Sequence, residues 1–146
     1  MTINKGTLSK IHIAKQQLAM DDDIYRGLLA RVAGVRSAKE LNERGDRIRE
    51  RLNAICVKNK VAFQFSGIGS MMTAHATTRP IKSAADIAAG NQDAKELFFF
   101  DMSAAGIWIA RRGFVALNVM IGDAEGDRFV AAVEEFVSAR KALLQP

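Results

Sequence analysis

Hydrophobic residues in the first third of the chain recur at the three- and four-residue spacing of amphipathic helices. This spacing predicts one helix over residues 7–19 and a second over residues 22–33. Their inward-facing positions are Leu8, Ile11, Leu18, Ile24, Leu28 and Val32. Gly34 ends the second helix, since glycine is common just after a helix C-terminus.

The acidic run Asp21, Asp22 and Asp23 lies between these two helices. Carboxylates at a helix start accept hydrogen bonds from free backbone N–H groups and meet the positive end of the helix dipole. A metal site is the alternative. We prefer the capping interpretation, because three consecutive side chains point in different directions.

A longer helix is predicted over residues 38–57. Ser37 and Glu40 have the spacing of a capping box at its start. The apolar face of this helix is formed by Leu41, Ile48, Leu52 and Ile55.

The hydrophobic period changes to two residues after Lys60, which indicates a strand. Val61, Phe63 and Phe65 alternate with small or polar residues. The glycines at 67 and 69 predict a turn or a strand bulge. Further strands are predicted at residues 70–78, 107–110 and 114–119.

Three more helices are expected in the second half. Ser83 and Asp86 cap a short helix that ends near Ala89. A helix over 92–105 would turn Leu97, Phe98 and Met102 inward, and Asp123 would cap the last helix. The buried stripe of that last helix is Phe129, Val133, Phe136, Val137 and Leu144.

Strands that come in adjacent pairs favour an α+β fold. We therefore predict a mostly antiparallel four-stranded sheet covered by helices, preceded by a short helical head. The head spans residues 1–37 and the α+β domain spans residues 38–146.

The composition fits a folded domain, because 49% of the 146 residues are apolar. No apolar run approaches the roughly 20 residues of a membrane span, and the N-terminus lacks a signal-peptide core. We therefore expect a cytoplasmic protein without membrane contact.

The positive net charge of the chain, +5, comes entirely from residues 1–60. A basic helical head can attract nucleic acid or an acidic protein. A solvated helix surface is the alternative.

Candidate catalytic chemistry is sparse. His12 and His75 lack the paired spacing of a zinc site, and a single cysteine, Cys56, excludes an internal disulfide. The segment Gly67–Ser70 lacks the glycine and lysine pattern of a phosphate loop. We predict no catalytic, cofactor-binding or metal-binding residue, and no cofactor.

Two other clusters are candidates for contacts. Arg111 and Arg112 precede Gly113 between two predicted strands, where they could hold a carboxylate or phosphate. A charged hairpin loop is the preferred alternative. Phe98, Phe99 and Phe100 cannot all face one way on a helix, so at least one ring is expected to be exposed or to form an interface, such as that of a homodimer.

Residues 41–144 resemble the C-terminal small domain of class III pyridoxal-phosphate (PLP) aminotransferases, with members like glutamate-1-semialdehyde aminomutase as the nearest. The resemblance lies in the segments LNERGDRIRERLNAIC, FSGIGSMMTAHAT, KELFFFDM, GIWIARRGFVALN and DRFVAAVEEFV. It implies a large domain elsewhere that supplies the lysine and the other cofactor ligands. It also implies that Gly69, Ser70, Arg111 and Arg112 would lie near a substrate mouth.

Residues 7–40 resemble the N-terminal part of GemA-type regulatory proteins of Mu-like phages. The resemblance lies in the segment KIHIAKQQLAMDDDIYRGLLARVAGVRSAKEL, which ends one residue later, at Leu41. This resemblance implies a small regulatory protein of phage or mobile-element type.

Two functional hypotheses follow. The first is a non-catalytic binding protein whose basic head contacts protein or nucleic acid. The residues of that contact surface would be Lys10, Lys15, Arg26, Arg31 and Arg36. The alternative is a C-terminal fragment of a class III aminotransferase or aminomutase, inactive without its large domain.

Overall fold

The structure is a computed structural model that describes residues 21, 23–24 and 38–145. From residue 38 onward the chain forms four α-helices and three strands. In chain order they are α1 (Ala38–Asn59), β1 (Gln64–Ile68), β2 (Met71–His75), α2 (Ala84–Ala88), α3 (Gln92–Ala104), β3 (Phe114–Ala116) and α4 (Asp123–Ala139). A 3₁₀ turn over Lys141–Leu144 follows. The α+β class is confirmed over this part of the chain.

The sheet has the order β1-β2-β3 and both pairs of strands are antiparallel. Ile68 pairs with Met71, so Gly69 and Ser70 alone form the turn between β1 and β2. The pairing is regular from Gln64 to Ile68, and the alternative of a bulge at the two glycines is therefore wrong. Gly69 has φ +54, a left-handed conformation that suits a two-residue hairpin turn.

The prediction of a fourth strand at residues 107–110 is not confirmed in this structure. Among the described residues, this segment is joined to β3 by one backbone hydrogen bond, from the Ala110 N–H to the Phe114 carbonyl at 3.0 Å. The Ile107 N–H instead donates to the Met102 carbonyl near the end of α3. The strands predicted over 70–78 and 114–119 are shorter than expected, since β2 covers Met71–His75 and β3 covers Phe114–Ala116.

The core lies between the sheet and the helices α1, α3 and α4. Four phenylalanine rings meet there, with centroid separations between 5.1 and 5.9 Å in tilted or edge-to-face arrangements. These rings belong to Phe63, Phe65, Phe98 and Phe136. The predicted stripe of α4 is buried, and Leu144 completes it from the 3₁₀ turn.

The predicted capping box of α2 is present, with the Asp86 carboxylate accepting the Ser83 N–H at 2.8 Å. These bonds lower the pKa of Asp86, with the backbone bond from Lys82 contributing most. The prediction for the last helix was wrong in one respect. Asp123 is the first residue of α4 itself, so Gly122 is the N-cap; its N–H donates to the Glu125 carboxylate. Asp123 is used elsewhere, in an ion pair with Arg44 of α1 at 3.0 Å.

The helices predicted over 7–19 and most of 22–33 lie outside the described residues, as does Ser37 of the predicted capping box. Within the acidic run, the Asp21 side chain accepts the Asp23 N–H at 2.7 Å. That bond agrees with the capping interpretation. Among the described residues, no helix is both long and apolar enough to cross a membrane.

Candidate functional site

The tip of the β1–β2 hairpin is fixed onto helix α1 by two side chains. The Gly69 N–H donates to the Asp46 carboxylate at 2.9 Å, and the Ser70 N–H donates to the Asn42 side-chain oxygen at 3.0 Å. Both acceptors lie on the same face of α1, one turn apart. Because each bond goes to a backbone N–H of the turn, helix α1 sets the position of the hairpin tip.

The Asn53 side chain of α1 binds the unpaired edge of β1 by two hydrogen bonds. The Asn53 amide donates to the Phe65 carbonyl at 3.0 Å and its oxygen accepts the Phe65 N–H at 2.8 Å. Since β1 has a neighbouring strand on one side only, Asn53 satisfies groups that would otherwise be a free sheet edge. Helix α1 therefore contacts the hairpin both at its turn and at the middle of β1.

His75 lies at the end of β2 and is almost fully buried. Its Nε2 atom is 2.8 Å from the Ser66 hydroxyl oxygen on the neighbouring strand, whereas Nδ1 is buried without a hydrogen-bond partner. Burial, with a smaller contribution from the positive charge of Lys95, lowers the pKa of His75. A serine next to a histidine is a possible nucleophile and base, but within the part of the chain that the structure describes no carboxylate bonds to this imidazole.

The arginine pair lies on the turn before β3. Arg111 forms an ion pair with Glu96 of α3, and Arg112 places its guanidinium 5.4 Å from the centroid of the Phe114 ring. Gly113 has φ +84 and donates its N–H to the Ala110 carbonyl, which closes the turn. The two arginines therefore differ: Arg111 already has an acidic partner, while Arg112 stacks on an aromatic ring.

The three consecutive phenylalanines of α3 differ in burial, because successive residues of a helix point in different directions. Phe98 is fully buried, Phe99 is half-buried, and Phe100 is 53% exposed. Phe99 contacts both Phe100 and Trp108, with ring centroids 5.3 and 6.0 Å apart. The expectation of one exposed ring is confirmed. Its use as an interface stays a prediction.

The five basic residues assigned to the head contact, Lys10, Lys15, Arg26, Arg31 and Arg36, lie outside the described residues. The prediction that they bind protein or nucleic acid is neither supported nor contradicted by the structure.

Three cavities in the described residues have volumes of about 320, 220 and 480 Å³. The first contains Asp101 and Arg140 without a lysine, and the third contains Lys60 without a carboxylate. A lysine that bonds the cofactor and an acid that pairs with its ring are both needed in one site. None of these three cavities combines a lysine with a carboxylate.

The possible metal ligands and the single cysteine were also compared with the needs of a metal site and of a reactive thiol. Among the described residues, no three His, Cys, Asp or Glu side chains form a possible metal site. Burial raises the pKa of the Cys56 thiol to about 12, so at neutral pH it is protonated and behaves as an apolar core residue.

In sequence and fold this region resembles the small C-terminal domain of class III PLP-dependent aminotransferases. The chain is 43% identical over 108 residues to the β-phenylalanine transaminase of Variovorax paradoxus, a match that covers 74% of this chain and 25% of that protein. It is 29% identical over 110 residues to an uncharacterized aminotransferase of Schizosaccharomyces pombe, covering 75% of this chain and 25% of the relative.

The solved structures agree with this class. The crystal structure of the Variovorax paradoxus β-phenylalanine aminotransferase superposes with a TM-score of 0.70 and 42% identity, over 73% of this chain and 25% of the other. An ω-transaminase from Sphaerobacter thermophilus superposes with a TM-score of 0.60 at 21% identity, over 71% of this chain and 24% of the other, and so supports the fold alone. No protein-family model matches the chain.

The chain spans about a quarter of the length of the curated relatives it matches. Of the two functional hypotheses, these matches favour the aminotransferase fragment. They give no support to the phage-regulator interpretation of residues 7–40.

Sequence reasoning missed the side chains that hold the hairpin, namely Asn42, Asp46 and Asn53. One signal was available: short polar side chains at 42, 46 and 53 repeat at helical spacing beside the apolar stripe, where they could face a neighbouring element.

Proposed function

We propose that residues 38–145 serve as the small domain of a PLP-dependent aminotransferase and are inactive without a cofactor-bearing large domain. The observation that carries this proposal is the combination of 42% sequence identity and a TM-score of 0.70 with one aminotransferase structure.

In such an enzyme PLP, held by the large domain, supplies the electron sink for amine transfer. The residues of this chain would contribute to the substrate side. The proposed contact is the arginine turn, where Arg112 would meet a carboxylate or phosphate, since Arg111 already pairs with Glu96. The ring of Phe114 would hold the guanidinium of Arg112 in place for that contact.

The substrate class we propose is a β-amino acid such as β-phenylalanine. The support is the 43% identity with a β-phenylalanine transaminase, which is higher than the identity with the other relatives described above.

The test is complementation in trans. The Variovorax paradoxus transaminase would be expressed without the quarter that this chain matches, and the full 146-residue chain would be added to it. The truncated enzyme's own missing quarter is the positive control. We expect β-phenylalanine transamination from the mixture, and none from either polypeptide alone.

Two variants of the chain sharpen this test. Arg112→Gln is expected to raise KM for β-phenylalanine by about tenfold or more, because a charge-assisted hydrogen bond to the substrate is lost. Lys141→Gln is the matched control, because it also removes one positive charge but at a position distant in sequence from Arg112. It is expected to leave KM unchanged. If the positive control is active and the chain restores nothing, the proposed function is wrong.

A further inference from the structure

The outer face of the sheet is apolar at its hairpin end. Side chains alternate between the two faces along a strand, and Phe65, Met72 and Val115 face the helices and lie in the core. Ile68 and Met71 therefore point to the outer face. They are direct partners in the strand register and are 76% and 50% exposed. A sheet face that meets water normally carries polar side chains, and this end of the face does not.

The loop after β3 extends this apolar surface. The Leu117 N–H donates to the Ser70 carbonyl at 2.8 Å, which holds the loop beside the hairpin turn. The next apolar residues of the loop, Val119 and Met120, are both exposed. We call the four exposed residues the hairpin-end surface; they are Ile68, Met71, Val119 and Met120.

The start of helix α1 lies against this surface. The Ser70 N–H donates to the Asn42 side-chain oxygen at 3.0 Å, and Arg44 donates to the Ile121 carbonyl at 2.7 Å. Asn42 and Arg44 lie about 6 and 9 Å along the helix from Ala38, at 1.5 Å per residue. The polypeptide that precedes residue 38 therefore joins the domain beside the hairpin-end surface.

The sequence just before this junction carries an apolar stripe of its own. The helix predicted over residues 22–33 places Ile24, Leu28 and Val32 on one side, which we call the head stripe. Ile24 lies within the described residues and is 63% exposed. A short amphipathic helix is stabilised mainly by packing of its apolar side, so the head stripe needs an apolar partner.

The connection between the two apolar surfaces is short. Four residues, 34–37, separate the predicted helix from α1, and they span at most about 14 Å when extended. A short connection of this kind gives the two surfaces an effective concentration on the order of millimolar. Val57, another strongly exposed apolar residue, is a poorer partner because it lies about 28 Å along α1 from Ala38.

We propose that residues 22–33 of the same chain dock their head stripe on the hairpin-end surface. Each apolar surface then removes the other from water, and the tether at residue 38 makes this contact intramolecular. The inference does not depend on the proposed function, and its test needs no large domain.

The experiment is oxidation of the full 146-residue chain by dilute hydrogen peroxide, with each methionine followed by mass spectrometry. Met71 and Met120 report whether the hairpin-end surface is covered, because oxidation requires access to the sulfur atom. Met72 and Met102 are 1% exposed and report whether the domain stays folded.

The test variant combines Leu28→Gln with Val32→Gln and makes the head stripe polar. The matched control combines Arg26→Gln with Ala30→Gln, which places the same two glutamines on the opposite side of the helical pattern. We expect Met71 and Met120 to oxidise at least about fivefold faster in the test variant than in the wild type and the control.

Three results would overturn the proposal. The first is equal oxidation of Met71 and Met120 in the wild type and the test variant. The second is an equal rise in the control, which would mean that any change in the helix exposes them. The third is protection that disappears on dilution together with a dimer in sedimentation, which would assign the surface to a second copy.

A reverse measurement decides the matter if Met72 and Met102 also become reactive in the test variant. It follows hydrogen exchange of the backbone amides of residues 24–33 in Val119→Gln, with Val57→Gln as the control at an equally exposed apolar site far from the junction. Val119 takes no part in strand pairing, so the fold is retained. We expect exchange at least about tenfold faster in Val119→Gln than in the wild type or the control. Unchanged exchange, or the same increase in the control, overturns the proposal.

Discussion

Gly45 of helix α1 lies directly against the backbone of Gly69 at the hairpin turn. A Cβ atom at position 45 would overlap the Gly69 carbonyl and lie 2.9 Å from the Cα of Ser70. The absence of a side chain at 45 is what allows the turn to approach Asn42 and Asp46 closely enough for both hydrogen bonds. Helix and hairpin therefore form one unit.

Gly45→Ala is expected to destabilise the protein by about 1–3 kcal/mol, even though alanine is the better helix former. The new methyl group meets backbone atoms, which cannot rotate away. Urea unfolding measures the change.

The matched control is Gly126→Ala in α4. There the new methyl would lie 2.9 Å from the end of the Ile48 side chain, which can shift at small cost. A loss at Gly126 as large as the loss at Gly45 would contradict the backbone explanation.

Asn53→Ala is expected to cost about 1–3 kcal/mol, because it leaves the N–H and the carbonyl of Phe65 without partners at a partly buried edge. It also opens the edge of β1 to other chains, so the variant is expected to aggregate faster on warming. Unfolding and light scattering measure the two effects.

Asn59→Ala provides the comparison, since the Asn59 side chain makes a single bond, to the Ile55 carbonyl of its own helix. Its cost is expected to be clearly smaller, with no change in scattering. If the two asparagine variants lose the same stability and scatter light alike, the hydrogen bonds from Asn53 to Phe65 do not protect the edge of β1.

Phe98→Ala is expected to destabilise by about 3–5 kcal/mol, because Phe98 is fully buried and its ring contacts Phe63, Phe65 and Phe136. Phe100→Ala, two positions later, removes a ring that is about half exposed and is expected to change stability by about 0.5 kcal/mol or less. Chemical denaturation of both variants tests the assignment. A large loss at Phe100 would mean that its ring is covered, for example by a second copy.

The helix-forming and core positions of this chain could be predicted from sequence because each depends on a local period. The spacing of Phe98 and Met102, and the stripe of α4, follow from 3.6 residues per turn. The turn at Gly69 was also accessible, since two glycines interrupt a strand pattern.

The fourth strand and the hairpin contacts could not be predicted in the same way. The segment 107–110 has strand-like residues, yet the end of α3 takes the Ile107 N–H that a strand would have used. Asn42, Asp46 and Asn53 act on residues 12 to 28 positions away, and no local period encodes such pairs. The apolar outer face likewise became visible only when the register placed Ile68 beside Met71.

The stability of the fold is expected to fall as the pH drops below about 6.5, and His75 is expected to contribute to that fall. Burial lowers the pKa of His75 from its ordinary value of 6.5, and Lys95 adds to the effect. The unfolded chain therefore binds a proton at His75 at a higher pH than the folded chain does. Protonation then favours unfolding, so the contribution of neutral His75 is fully present above pH 6.5 and is lost as the pH falls toward the folded-state pKa.

His75→Gln removes this titration while retaining a group that can bond to Ser66. The difference in unfolding free energy between the wild type and this variant should change with pH by up to about 1.4 kcal/mol per unit between the two pKa values. Urea unfolding at several pH values from about 5 to 8 measures that difference. Lys95→Gln should move the wild-type dependence to higher pH, because one of the causes that lower the pKa is removed. Parallel pH profiles for the wild type and His75→Gln would show that the imidazole has the same pKa in the folded and unfolded chains, contrary to the effect expected from its burial.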